Sequence, residues 1–158
     1  MSDNKSDLIQ QVITSLEADL DVLRKAAQET HSNSTDEQSK AEGKYDTRGL
    51  EASYLAEAQA GKVLQLEDHL RKLKQLDGND YDDSAPIASG SMVILSSSDD
   101  DYGYMLLPAG GGMTLLSQGL EFTVVTPDSP IGSLILGKHV GNTIDHPQYG
   151  NTFISDLW

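Results

Sequence analysis

The sequence of 158 residues contains no cysteine and few aromatic residues. The lack of cysteine excludes disulfides, thiolate zinc sites and cysteine nucleophiles. Aromatic residues make up only 6% of the chain, and no apolar run reaches the roughly 20 residues that span a bilayer. The first ten residues also lack the basic-then-apolar pattern of a secretory signal. We therefore expect a cytoplasmic protein with a modest core and no membrane contact.

Basic residues are scarce in the second half of the chain. Residues 1–76 carry fourteen acids and ten bases, whereas residues 77–158 carry eleven acids and Lys138 as their one base, a net charge of -10. Binding through nucleic-acid phosphates requires a basic face, so we expect no direct DNA binding. The contrast between the halves predicts two modules with different surfaces.

The first module contains two seams of apolar or small residues with the heptad spacing of paired helices. The first seam has a 4-3-4-3-4-3 spacing and consists of Ile9, Ile13, Leu16, Leu20, Leu23, Ala27 and Thr30. The second consists of Ala52, Ala56, Gln59, Val63, Leu66, Leu70 and Leu73. If the helices pair antiparallel, the position numbers of seam partners add to 82 or 83 throughout. The chain is then predicted to turn at Ala41 and Glu42.

The second module has the pattern of a small, mostly antiparallel sheet. The runs SMVILSS, YGYMLLP, MTLLS, LEFTVVT and NTFISDLW predict strands, and the segment DSPIGSLILGK predicts one short helix. Ser129 is the expected N-cap of that helix, Pro130 its first residue and Gly137 its stop. We predict an α+β protein with an antiparallel two-helix coiled coil at 1–76, a tip near 36–48, an acidic linker at 77–90 and a sheet domain at 91–158.

The second module shows no recognisable catalytic pattern. His139 and His146 are badly spaced for a shared metal and have no cysteine or glutamate motif beside them, so we interpret both as surface or loop residues. The glycines at 110–112 lack the lysine of a phosphate-binding loop and predict a hairpin turn. No GxSxG elbow occurs, and the sequence therefore predicts no self-contained active site.

The predicted turn of the coiled coil carries two acids. Glu42 and Asp46 lie four residues apart, on one face if the chain is helical there. Protein sites often hold Mg²⁺ with one or two carboxylates and take the other ligands from water or a partner. The alternative is that Lys40, Lys44, Arg48 and these acids form an ordinary solvated turn.

Three features together resemble the bacterial Gre transcript-cleavage factors. They are the two-helix arm with acids at its tip, the segment EGKYDTRGLEASYLAEAQAGKVLQLEDHLRKL and the segment VVTPDSPIGSLILGKHVGNTI. The resemblance implies an FKBP-like C-terminal domain that docks at the rim of the RNA polymerase secondary channel while the coiled coil enters it. Glu42 and Asp46 would then help hold a Mg²⁺ ion shared with polymerase, whose own site hydrolyses backtracked RNA. The protein itself would be no enzyme and would contact nascent RNA only indirectly.

The resemblance also implies roles for further residues. At the tip, the residues that contact the partner would be Lys44, Tyr45 and Arg48. Those that bind the partner would be Ser129, Pro130, Leu136, Gly137 and Lys138. An FKBP-like domain also suggests prolyl isomerase activity, but the few aromatic residues argue against the aromatic-lined pocket that such an isomerase usually has.

One departure from the family pattern leaves the outcome at the tip open. Gre factors carry an aspartate and then a glutamate three residues apart, whereas here Glu42 precedes Asp46 by four. The alternatives are a factor that stimulates cleavage, a secondary-channel regulator or inhibitor without cleavage activity, and a coiled-coil adaptor unrelated to cleavage.

Overall fold

The computed structural model describes the backbone of residues 4–40 and 47–158, and the side chains of residues 4–30 and 54–158. The chain divides into two compact units. One unit is Thr14–Arg71, and the other combines Met1–Ile13 with Lys72–Trp158.

Two long helices build the arm. Helix α1 spans Lys5–Lys40 and helix α2 spans Thr47–Lys74. Every predicted seam residue with a described side chain is buried or half-buried, as expected for helices that pack along these stripes. Arg24 forms an ion pair of 2.9 Å with Glu67 across the arm. Their position numbers add to 91, whereas the predicted sum is 82 or 83. Arg24 therefore contacts a residue of α2 that lies eight or nine positions later in the chain than the predicted pairing implies. The predicted turn at Ala41 and Glu42 lies outside the described residues.

The first turns of α1 belong to the same unit as the C-terminal part of the chain. The ammonium of Lys5 donates a hydrogen bond of 3.1 Å to the carbonyl of Asn79 and lies 4.5 Å from the centroid of the Tyr81 ring. Burial lowers the pKa of Lys5 to about 8, and the carboxylates of Asp80 and Asp77 act in the opposite direction. Lys5 therefore fixes the start of α1 to the segment that follows α2.

A six-stranded sheet forms the body of this unit, in the order β3-β4-β2-β1-β6-β5. Its strands are β1 (Met92–Ser96), β2 (Asp101–Leu106), β3 (Thr114–Ser117), β4 (Leu120–Val125), β5 (Thr143–His146) and β6 (Gly150–Leu157). All neighbouring strands pair antiparallel except β2 and β4, which run parallel. The sheet is therefore mixed, and the prediction of an antiparallel sheet is wrong for this pair. The α+β class itself is confirmed.

Each face of the sheet is covered. On one face, helix α3 (Pro130–Ile135) packs with Ile131 and Ile135 against a core that includes Leu95 and Leu106. The alternating residues Met92, Met105, Phe122 and Val124 are also buried, which shows that the opposite face is shielded as well. Phe122 meets Trp158 edge to face at 5.6 Å. Apolar side chains are therefore buried on both faces of the sheet.

Candidate functional site

The tip residues predicted from the sequence lie largely outside the described part of the chain. This holds for Glu42, Lys44, Tyr45 and Asp46, whereas Arg48 lies in the first turn of α2 with its side chain outside the described set. The structure supplies the frame on either side, since α1 ends at Lys40 and α2 begins at Thr47. The tip assignments therefore stay predictions.

The segment around α3 folds as the sequence predicts. The Ser129 hydroxyl accepts a hydrogen bond of 3.1 Å from the Gly132 N–H and donates one of 2.6 Å to the Thr126 carbonyl. Ser129 is therefore a side-chain N-cap, and Pro130 occupies the first helical position. A Cβ atom on Gly132 would overlap the carbonyl oxygen of Thr126. Glycine at this position allows the helix to start directly against the end of β4.

The residues after α3 join this helix to the segment before the sheet. The Gly137 N–H donates to the Ile87 carbonyl, and the Ile87 N–H donates to the Lys138 carbonyl, both at 2.8 Å. Gly137 adopts a φ of 80°, a conformation that glycine adopts readily. The side chains of Leu136 and Lys138 are exposed. Within the predicted partner-binding set, Ser129 and Gly137 thus have structural tasks, while Leu136 and Lys138 present surface.

His146 does not lie at the surface, contrary to the interpretation from sequence. It ends strand β5, is 5% exposed, and its Nε2 lies 2.8 Å from the Tyr104 hydroxyl. Its Nδ1 accepts hydrogen bonds from the backbone N–H groups of Gln148 and Tyr149, at 3.0 and 3.3 Å. Because Nδ1 is an acceptor, neutral His146 carries its proton on Nε2 and donates to Tyr104. The prediction for His139 holds, since this residue is exposed.

The surroundings of His146 and Tyr104 shift the pKa values of both side chains. Burial lowers the pKa of His146, because the imidazolium would lose hydration and would set a new N–H against two backbone donors. Burial also raises the pKa of Tyr104 to about 12, and the neighbouring Tyr149 and Tyr102 add to this shift. The pair is therefore a neutral, structural hydrogen bond at neutral pH.

An aromatic cluster extends from this pair toward the surface. Tyr102 and Tyr149 stack in parallel at 3.9 Å, and the Tyr149 ring lies 4.5 Å from that of His146. Beside the cluster is a cleft of about 310 Å³ lined by Ile94, Asp101, Tyr102, Gly103, Tyr104, Leu120, Glu121, Thr123 and Tyr149. Three of these lining residues, Tyr102, Tyr104 and Tyr149, are aromatic.

The parallel pairing of β2 and β4 explains how the cleft forms. Parallel strands start at the same edge of a sheet, so Asp101 at the start of β2 lies near Leu120 and Glu121 at the start of β4. A Cβ atom on Gly103 would approach the Glu121 carbonyl to 2.6 Å. The absence of a side chain at Gly103 thus allows β2 and β4 to pack closely where they border the cleft. Sequence reasoning missed this site because it depends on a pairing between strands that are not consecutive.

Other site classes receive no support from the described residues. Among residues 4–30 and 54–158, no group of three or more His, Cys, Asp or Glu side chains could hold a metal ion. Within the helices described, none combines the length and the apolar character needed to cross a membrane.

Comparisons with known proteins give similar solved structures. No protein-family model matches the chain, and no curated protein does either. The chain is similar to the crystal structure of GreA factor homolog 1 (Gfh1) of Thermus thermophilus, with 20% identity over 92% of this chain and 94% of that one, at a TM-score of 0.34. Gfh1 of Thermus aquaticus is similar at 20% identity over 91% and 92% of the two chains, with a TM-score of 0.34.

A third similar structure is described as the prokaryotic transcription elongation factor GreA/GreB from Nitrosomonas europaea. It shares 19% identity over 58% of this chain and 78% of that one, with a TM-score of 0.36.

Proposed function

We propose that this protein is a Gre-like transcription elongation factor that binds RNA polymerase and inserts its helical arm into the secondary channel. The observation that carries the proposal is the arm itself. Helices of 36 and 28 residues flank a short segment that contains Glu42 and Asp46. At about 1.5 Å per residue, α2 alone extends about 42 Å. Such a helix pair can hold two carboxylates at its turn, within reach of a site in a partner.

The role proposed for the tip is to complete a metal site in another macromolecule. Two carboxylates do not form a full Mg²⁺ site, because the remaining ligands must come from water or from a partner. In the proposal, Glu42 and Asp46 contribute oxygens to a Mg²⁺ shared with polymerase, and Lys44, Tyr45 and Arg48 contact the surroundings. Polymerase performs the hydrolysis of backtracked RNA. The protein supplies groups in trans, is no enzyme and acts in the cytoplasm.

The C-terminal unit would serve as the docking domain. We infer an FKBP-like domain from the sequence resemblance, and the short helix α3 against one face of a mixed sheet supports this proposal. Leu136 is 45% exposed, and Lys138 is exposed beside it. We propose that this pair contacts the rim of the channel and that Ser129, Pro130 and Gly137 hold it in place.

A specific observation favours a second candidate function. The tip acids stand in the order Glu42 then Asp46 with a spacing of four, which differs from the family pattern. A tip with altered acid geometry can occupy the channel without holding the metal in a reactive position. The second candidate is therefore a secondary-channel regulator that binds polymerase and competes with other factors.

A binding experiment tests the shared part of both candidates. The full chain is incubated with purified bacterial RNA polymerase, and the complex is measured by co-elution. Leu136→Ser should weaken binding, because it removes an exposed apolar contact, whereas Leu116→Ser on strand β3 should not. Leu116 is 59% exposed and so provides a matched control. Absence of any complex would contradict both candidates and favour a coiled-coil adaptor.

A cleavage experiment separates the two candidates. Backtracked elongation complexes are incubated with the wild type and with the Glu42→Ala, Asp46→Ala and Glu57→Ala variants. Glu57 is an exposed acid on α2 that provides the same change of charge away from the tip. The first proposal predicts that the tip variants lose at least about tenfold in RNA shortening, the scale on which groups around a metal affect activity. Binding without RNA shortening by the wild type would favour the regulator.

A further inference from the structure

The cleft beside the tyrosine cluster has two chemically different walls. Tyr102, Tyr104 and Tyr149 give it an aromatic side, and Asp101 and Glu121 give it an acidic side. Its volume of about 310 Å³ lies at the small end of ligand pockets, which run from about 300 to 1,000 Å³. The cleft therefore has room for one long side chain, not for a large cofactor.

The acidic wall lacks a cation of its own. Neither the Asp101 nor the Glu121 carboxylate forms an ion pair with a side chain in the ranges 4–30 and 54–158. Lys138 is the one base in residues 77–158, and it does not line the cleft. Clefts lined by one sign of charge concentrate ligands of the opposite sign. No lysine or arginine lines the cleft, so its acidic side favours a cationic ligand.

The aromatic wall is held in place before any ligand arrives. Tyr149 stacks on Tyr102 at 3.9 Å, and its N–H donates to the His146 ring. Tyr149 nevertheless remains 39% exposed, so part of the ring is available for contact. A preformed ring reduces the ordering cost of binding. Aromatic faces attract cations, and a planar guanidinium can also stack on them.

We propose that this cleft binds the side chain of an arginine presented by a partner protein. The guanidinium stacks on the exposed surface of Tyr149 and donates hydrogen bonds to the Glu121 carboxylate, which lies beside Tyr102 in the register of β2 and β4. Lysine fits less well, because its ammonium cannot stack or donate two parallel hydrogen bonds. The proposal concerns this unit alone and does not depend on the polymerase function.

A peptide titration tests the proposal on the full chain without polymerase. The ¹⁵N-labelled protein is titrated with acetyl-Gly-Arg-Gly-amide, and with matched peptides that carry lysine or the neutral isostere citrulline. We expect saturable shifts in the signals of Tyr102, Glu121 and Tyr149 with the arginine peptide. Loss of the charge or of the stack should each weaken binding about two- to fivefold. The citrulline and lysine peptides should therefore bind more weakly than the arginine peptide.

Matched variants identify the groups responsible. Glu121→Gln and Tyr149→Leu should weaken arginine binding about two- to fivefold. Asp156→Asn and Phe153→Leu provide the same chemical changes at exposed positions outside the cleft and should leave binding unchanged. Equal affinity for arginine and citrulline peptides would overturn the proposal. Equal affinity for the lysine peptide, or equal losses in the control variants, would also overturn it, because binding would then be a general attraction of cations.

Discussion

The hydrogen bond between Tyr104 and His146 allows a quantitative prediction for Tyr104→Phe. The substitution removes the one acceptor of the buried His146 Nε2–H, and Nδ1 stays engaged with two backbone donors. A buried donor left without a partner costs about 1–3 kcal/mol. The aromatic ring is retained, so packing changes little. We therefore expect Tyr104→Phe to lower the free energy of unfolding by about 1–3 kcal/mol.

Urea unfolding followed by tryptophan fluorescence measures this change. Trp158 is the one tryptophan of the chain, and it contacts Phe122 edge to face, so its emission reports on the unit that contains the mutation. Tyr102→Phe is the matched control, because it deletes a hydroxyl from the same strand that has no hydrogen-bond partner among the described residues. If Tyr104→Phe costs no more than Tyr102→Phe, the assigned hydrogen bond and the assigned tautomer are wrong.

Three further predictions concern Lys5 and two glycines. Burial lowers the pKa of Lys5 to about 8 in the folded protein, so between pH 8 and pH 10 the unfolded chain binds more protons than the folded one. The free energy of unfolding, measured in urea, should therefore rise from pH 8 to pH 10. The rise should be smaller in Lys5→Met. Gly132→Ala should cost about 3 kcal/mol by thermal unfolding, because its Cβ would overlap a backbone carbonyl. Gly103→Ala should cost about 1–3 kcal/mol for the same kind of overlap. Gly61→Ala is the control for both, because a Cβ atom there meets nothing within 4 Å, and it should raise the free energy of unfolding by about 1 kcal/mol. The steric argument is contradicted if Gly132→Ala and Gly103→Ala are as stable as this control.

Local signals predicted the local structure well. Ser129 and Pro130 begin α3 as expected, because capping and the fixed φ of proline act within a few residues. The seam positions of the arm were also predictable, since a heptad pattern shows directly which face of a helix is buried. Both features depend on residues that are close together in the sequence, so one sequence is enough to predict them.

The features that the sequence did not predict depend on distant partners. Strand β5 was missed because its four residues, Thr143–His146, are partly polar and gain their pairing from β6. His146 was taken for a surface residue, although Tyr104, which satisfies its ring, lies on strand β2. The cleft requires the parallel contact of β2 with β4, two strands separated by β3 along the chain. No local pattern contains such a pairing.

The position of β6 affects the order of events during synthesis. This strand follows every other element of the sheet along the chain, yet it lies between β1 and β5 in the interior of the sheet. The sheet can therefore be completed only after residues 150–157 have emerged from the ribosome. Both helices of the arm precede every strand in the chain, and the contacts within each helix are local and form quickly. A nascent chain is thus expected to carry a formed arm while the edge of β1 is still unpaired, and this edge is the segment most exposed to aggregation.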